Sequence, residues 1–122
     1  MSDEADELAG HAALLDRMED ALESWLRWAR VDPAAPRAAG SSPVLRQHMA
    51  TALIDHRVAR TVLEDASAAP RAERGHPLRV LRRRLRIGLQ RTADAIAGSR
   101  GESVVSWMRL ELERLRSLDD PE

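Results

Sequence analysis

The sequence predicts an all-α, four-helix bundle-like single domain over residues 1–122, and three observations carry that prediction. Apolar residues recur at steps of three and four in segments near 3–31, 43–65, 77–97 and 100–118. Stretches rich in Pro, Gly, Ala and Ser separate those segments, at 32–42, 66–75 and 98–101. Nothing alternates with a period of two, and no run is rich in β-branched or aromatic residues. A chain of 122 residues suffices for one modest core.

In the first segment Leu8, His11, Leu15, Met18, Leu22, Trp25 and Ala29 follow alternating steps of three and four. That is a coiled-coil-like seam, widened by Leu14, Ala21 and Trp28. Its early acids and its late Arg27 and Arg30 suit the helix dipole. The seam predicts a homodimer associating through Leu8, Leu15, Met18, Leu22, Trp25 and Trp28.

The second helix is expected to start with Ser42 as its cap and Pro43, with its preset φ, as its first residue. Its apolar side reads Leu45, Met49, Ala52, Leu53, Ala59 and Leu63. Pro77 is expected to open the third helix in the same way. At ~100° per residue, Leu78, Leu81, Leu85, Leu89 and Ile96 fall on one side of it. Arg79, Arg82, Arg83 and Arg86 fall on the other. Gly98 is expected to end this helix, and Ser99 with Glu102 spells a capping box for the fourth. The fourth helix offers Val104, Trp107, Met108, Leu115 and Leu118 to the core.

The formal net charge of −1 hides a division along the chain. Residues 1–24 carry eight acids against Arg17 alone, and residues 71–91 carry eight arginines against Glu73 alone. Those blocks can neutralise each other, or the arginines can face a partner. The absence of lysine excludes a Schiff base and a P-loop. The absence of cysteine excludes a thiol nucleophile and thiolate metal sites. No Gly-rich phosphate loop and no Gly-x-Ser-x-Gly elbow occurs, so no enzymatic activity and no cofactor is expected. The acidic amino terminus is unlike a signal peptide and no apolar run approaches membrane-spanning length, so a cytoplasmic chain is expected, with no membrane partner.

Polar residues also interrupt the apolar stripes. His11 holds a seam position, His48, Asp55 and His56 lie on or beside the second stripe, and Glu111 interrupts the fourth. Such residues in a bundle either form a buried network that sets helix register, here Glu111 with His56 or Arg60, or hold a metal ion. The Glu-x-x-His pairs of di-iron bundles are absent, which favours the network; a metal-binding bundle is the third functional reading.

Ala93, Ala97, Gly98, Val104 and Trp107 fall where a helix-turn-helix wants small residues, a turn glycine and apolar packing. Residues 88–118 thereby loosely resemble the motif of sigma-factor region four and of some phage antitermination proteins. Asp94 and Ser99 depart from that pattern. Upstream, Trp25, Trp28, Arg30 and Ser42–Pro43 are vaguely similar to the front of the antiterminators. The resemblance implies a DNA-binding transcription regulator. Arg82, Arg83 and Arg86 would then contact phosphates, with Ser103, Ser106 and Arg109 nearest the bases. The residues themselves favour a non-enzymatic interaction module with a protein partner, docked on the face of Arg79, Arg82, Arg83 and Arg86.

Overall fold

The computed structural model describes residues 3–31 and 43–119; among them are four α-helices and no strand. They are α1 (Asp3–Val31), α2 (Pro43–Ala68), α3 (Gly75–Arg100) and α4 (Ser106–Asp119), with 3₁₀ turns at Arg71–Glu73 and Glu102–Val105. No helix of the described residues is long and apolar enough to cross a membrane. Ala29, Ser42 and Leu45, expected to pack or cap, lie outside the described residues or side chains.

Pairs of side chains fix the topology. Glu7 meets Arg82 near the starts of α1 and α3, and Trp25 meets Ser99 near their ends, so these two helices run parallel. Only residues 69–74 separate α2 from α3, and the two pack side by side with His56 against Thr92, so α2 runs antiparallel to α3 and therefore to α1. Arg109 reaches back to Asp94, so α4 returns antiparallel beside α3. The order is up-down-up-down, and α3 packs against all three other helices. Leu15, Met18 and Leu22 from α1, Leu81, Leu85 and Leu89 from α3, and Met108 and Leu115 from α4 are fully enclosed. The α2 contribution is slimmer, chiefly Met49, Ala52, Ala59, Leu63 and Ala66. Gly88 belongs to this economy of size: a Cβ there would sit 3.4 Å from both the Asp55 Cβ and the Met18 Cε. A larger side chain would push the helices apart.

Several boundaries differ from expectation, each for a local reason. α2 continues to Ala68 because Ala66 is a core residue and alanine favours helix, so the run at 66–68 is not linker. α3 begins at Gly75, which puts Pro77 third in the first turn, where its missing N–H has no helical acceptor anyway. Gly98 lies inside α3; the helix stops at Gly101, whose φ is 97° and whose N–H donates to the Ala97 carbonyl at 2.9 Å. The capping box does not form. Ser99 is still helical and donates to the Ile96 carbonyl, while Glu102 pairs with Arg109.

The 3₁₀ turn corrects the inward face of the last segment. With about three residues per turn instead of 3.6, the chain turns Val104 to the surface and Val105 into the core. Leu118 is exposed, and the buried stripe of α4 is Met108, Leu112 and Leu115. Leu53 is exposed as well, on the wall of a 410 Å³ pocket between α1 and α2.

Gly101→Ala is expected to cost about 1–2 kcal/mol, because an L side chain is strained at that φ although nothing lies within 4 Å of the added Cβ. Thermal melting followed by circular dichroism checks this; an unchanged Tm would mean that the turn relaxes to negative φ.

Candidate functional site

The four arginines singled out on α3 have different surroundings. Four residues on from Leu78, Arg82 is only about 40° round the helix, at the margin of the buried side. Its Nε donates to Glu7 Oε2 at 2.5 Å and its Nη2 to Oε1 at 2.7 Å, a two-pronged pair that is four-fifths buried on both sides. Arg82 is therefore a clamp between α1 and α3, and it holds the Glu7 carboxyl below the usual carboxylate range. Arg79 and Arg83 are exposed. Arg86 is half-buried on the same side.

Between α3 and α4 the structure forms an open groove of about 480 Å³. Arg83, Arg86 and Arg91 from α3 and Arg116 from α4 line it, with Gln90, over a floor of Ile87 and Leu112. Among the described residues that line it there is no carboxylate. Arg91 and Arg116 are each about half exposed while holding one acid: Arg91 Nη1 lies 3.0 Å from both Asp55 oxygens, and Arg116 Nη1 lies 3.4 Å from Glu113. Ile87, Gln90 and Arg91 continue the helical spacing from Arg83 and could have been read from it. Arg116 could not, because its place depends on how α4 lies along α3.

The residues of the predicted self-association seam face their own chain. Leu8, Leu15, Met18, Leu22 and Trp25 are buried in the core. Trp28 is half-buried; its ring centroid lies 6.4 Å from that of Trp25, and the Arg100 guanidinium sits over it at 5.0 Å. Trp107 is covered in the same way by Arg17, at 4.0 Å. What α1 presents outward is mainly acidic, with Asp6, Asp20 and Glu23 exposed beside Arg17 and Arg27. Asp16 and Glu19 share Arg60.

The interior polar residues form separate pairs, not one cluster. The buried His11 Nε2 lies 2.7 Å from Glu7 Oε2, the carboxylate that also accepts from Arg82. The buried His56 Nε2 lies 2.9 Å from the Thr92 hydroxyl. Both Nδ1 atoms are enclosed and have no hydrogen-bond partner. Burial pushes both imidazoles below their ordinary pKa. The expected pairing of Glu111 with His56 or Arg60 is overturned, since Glu111 turns to Arg114 one helical turn away. The apolar stripe beside it passes through Leu112, which leaves Glu111 at the margin. His48 is exposed. Among the described residues no three His, Asp or Glu side chains gather where they could hold a metal ion.

At the corner that resembles a helix-turn-helix, α3 is one unbroken helix and α4 folds back beside it. Arg109, read as near the bases, is held by Glu102 at 2.9 Å and Asp94 at 3.1 Å. Ser103 and Ser106 are exposed around Leu110. Comparison with protein families, curated proteins and solved structures finds no match for the chain.

Proposed function

We propose that the protein is a non-enzymatic docking module that takes an acidic, partly apolar segment of a protein partner into the α3–α4 groove. The observation that carries this reading is the lining itself: Arg83 and Arg116 exposed on facing helices over an Ile87–Leu112 floor, with no carboxylate among the described lining residues. An acidic amphipathic helix meets such a groove with carboxylates on its flanks and aliphatic side chains on the floor. Arginine suits the task because its planar fork holds carboxylates two-pronged, as Arg82 already does with Glu7. A nucleic acid fits less well. The floor is aliphatic, no aromatic ring lines the groove for stacking, and α1 adds a repelling acidic face to a chain of net charge −1.

A labelled acidic amphipathic peptide, titrated against the protein beside a DNA duplex of similar charge, tests the reading. The peptide is expected to bind more tightly, and Arg83→Glu with Arg116→Glu to weaken it at least about tenfold, with Tm nearly unchanged because both side chains are exposed. Tighter binding of the duplex, lost in the same double variant, would transfer the groove to nucleic acid. A peptide that ignores the double variant would remove the groove from function altogether.

A further inference from the structure

We propose that the groove's occupant is a second copy of this chain, presented through the acidic outer face of α1; this rests on the docking reading above. Asp16, Asp20 and Glu23 stand at i, i+4 and i+7 on that face, a ridge about 10 Å long. Asp20 and Glu23 are exposed, and Asp16 remains two-thirds exposed while it pairs with Arg60. The arginines of the groove, from Arg83 to Arg91, cover about 12 Å of α3. Ridge and groove therefore match in length and are opposite in charge. Ala9, Gly10 and Ala13 continue the outer face towards the amino terminus without bulk, and a Cβ on Gly10 would meet nothing within 4 Å. That slim surface lets a neighbouring helix approach closely.

One copy cannot fill its own groove. Ile87 lies nine residues from Leu78, about half a turn round α3, so the groove opens on the side of α3 facing away from α1. Ridge and groove lie on opposite sides of the molecule, and the contact they make is heterologous. Copies stack head to tail, and growth does not stop at two. The net charge of −1 adds little long-range repulsion to oppose this.

Sedimentation velocity over a concentration series decides the matter. At low salt the weight-average mass of the intact chain is expected to climb from 13.6 kDa past that of a dimer, and at high salt to return to 13.6 kDa. Arg83→Glu with Arg116→Glu makes both surfaces acidic, and Asp20→Arg with Glu23→Arg makes both basic. Each double variant alone is expected to stay monomeric with an unchanged helical spectrum, and an equimolar mixture of the two to associate again. Association that persists in either variant alone, or a mixture that stays monomeric, overturns the proposal. A monomeric wild-type chain that still binds the acidic peptide through Arg83 and Arg116 overturns the self-association and leaves the docking reading standing. Failure of both assays removes both.

Discussion

Leu85→Ala is expected to lower the unfolding free energy by about 3 kcal/mol, measured from urea unfolding at neutral pH. Leu85 is wholly enclosed, in the middle of the helix against which the other three pack. Truncating it removes the transfer free energy of its methyl groups. It also leaves a cavity, which a bundle whose α1 and α3 are tied at both ends by Glu7–Arg82 and Trp25–Ser99 closes only in part. Small domains hold only about 5–15 kcal/mol in total, so this is a large share of the stability. Leu110→Ala is the matched comparison. That side chain is 71% exposed, and its loss is expected to change stability by less than about 0.5 kcal/mol. Equal losses at the two positions would contradict the packing described.

The second large effect is acid lability. His11 and His56 are buried, and both have pKa values lowered from an ordinary 6.5, burial being the main cause. Around His11, Glu7 favours the charged ring while Arg114 and Arg82 oppose it. Around His56, Glu19 and Asp55 favour it while Arg60 opposes it. As pH falls below about 6.5 the unfolded chain takes up protons that the folded chain refuses, so stability falls with pH. The geometry gives the reason. With Nε2 already engaged by Glu7 or Thr92, a ring that carries both protons has a second N–H for which no acceptor exists. Glu7 extends the effect to lower pH. Its carboxyl is held below the ordinary 4.5 chiefly by Arg82, so its contribution, complete above that value, is lost as pH falls through the folded-state pKa.

The urea midpoint is therefore expected to be flat above pH 7 and to fall steadily between pH 6.5 and 5. The double variant His11→Gln with His56→Gln is expected to start lower by about 1–2 kcal/mol, since each glutamine replaces a buried ring, and to be nearly flat through that window. A wild-type midpoint that does not move between pH 7 and 5 would mean that both imidazoles charge freely in the folded state.

How much of this was legible along the chain differs from residue to residue. Spacing alone places the leucines of α3 and Leu8, His11, Leu15, Met18, Leu22 and Trp25 of α1 at packing positions, because which residues share a side of one helix depends only on spacing. What the α1 seam packs against was not legible: its coiled-coil pattern suits a second copy as well as helices of the same chain. Spacing misplaces Val104 because a single 3₁₀ turn shifts the phase of everything near it, and no residue type announces that turn. The expected stop at Gly98 is three residues early. The conformation that only glycine tolerates falls at Gly101 because helical bonding persists through Arg100.

The linear order of residues determined four helices, their apolar stripes, the breaks between them and a run of arginines set against a run of acids. Each of these is a property of neighbours one or two helical turns apart, and backbone geometry enforces it locally. The tertiary structure decided which charges meet. Arg82, rotated by about 40° from the buried stripe, closes on Glu7 from a helix 75 residues away in the chain, while Arg83, one step further round, opens into a groove completed by Arg116 of α4. The physical reason is that the partner of a long side chain depends on the rotation and register of two packed helices, and those follow from the whole core at once.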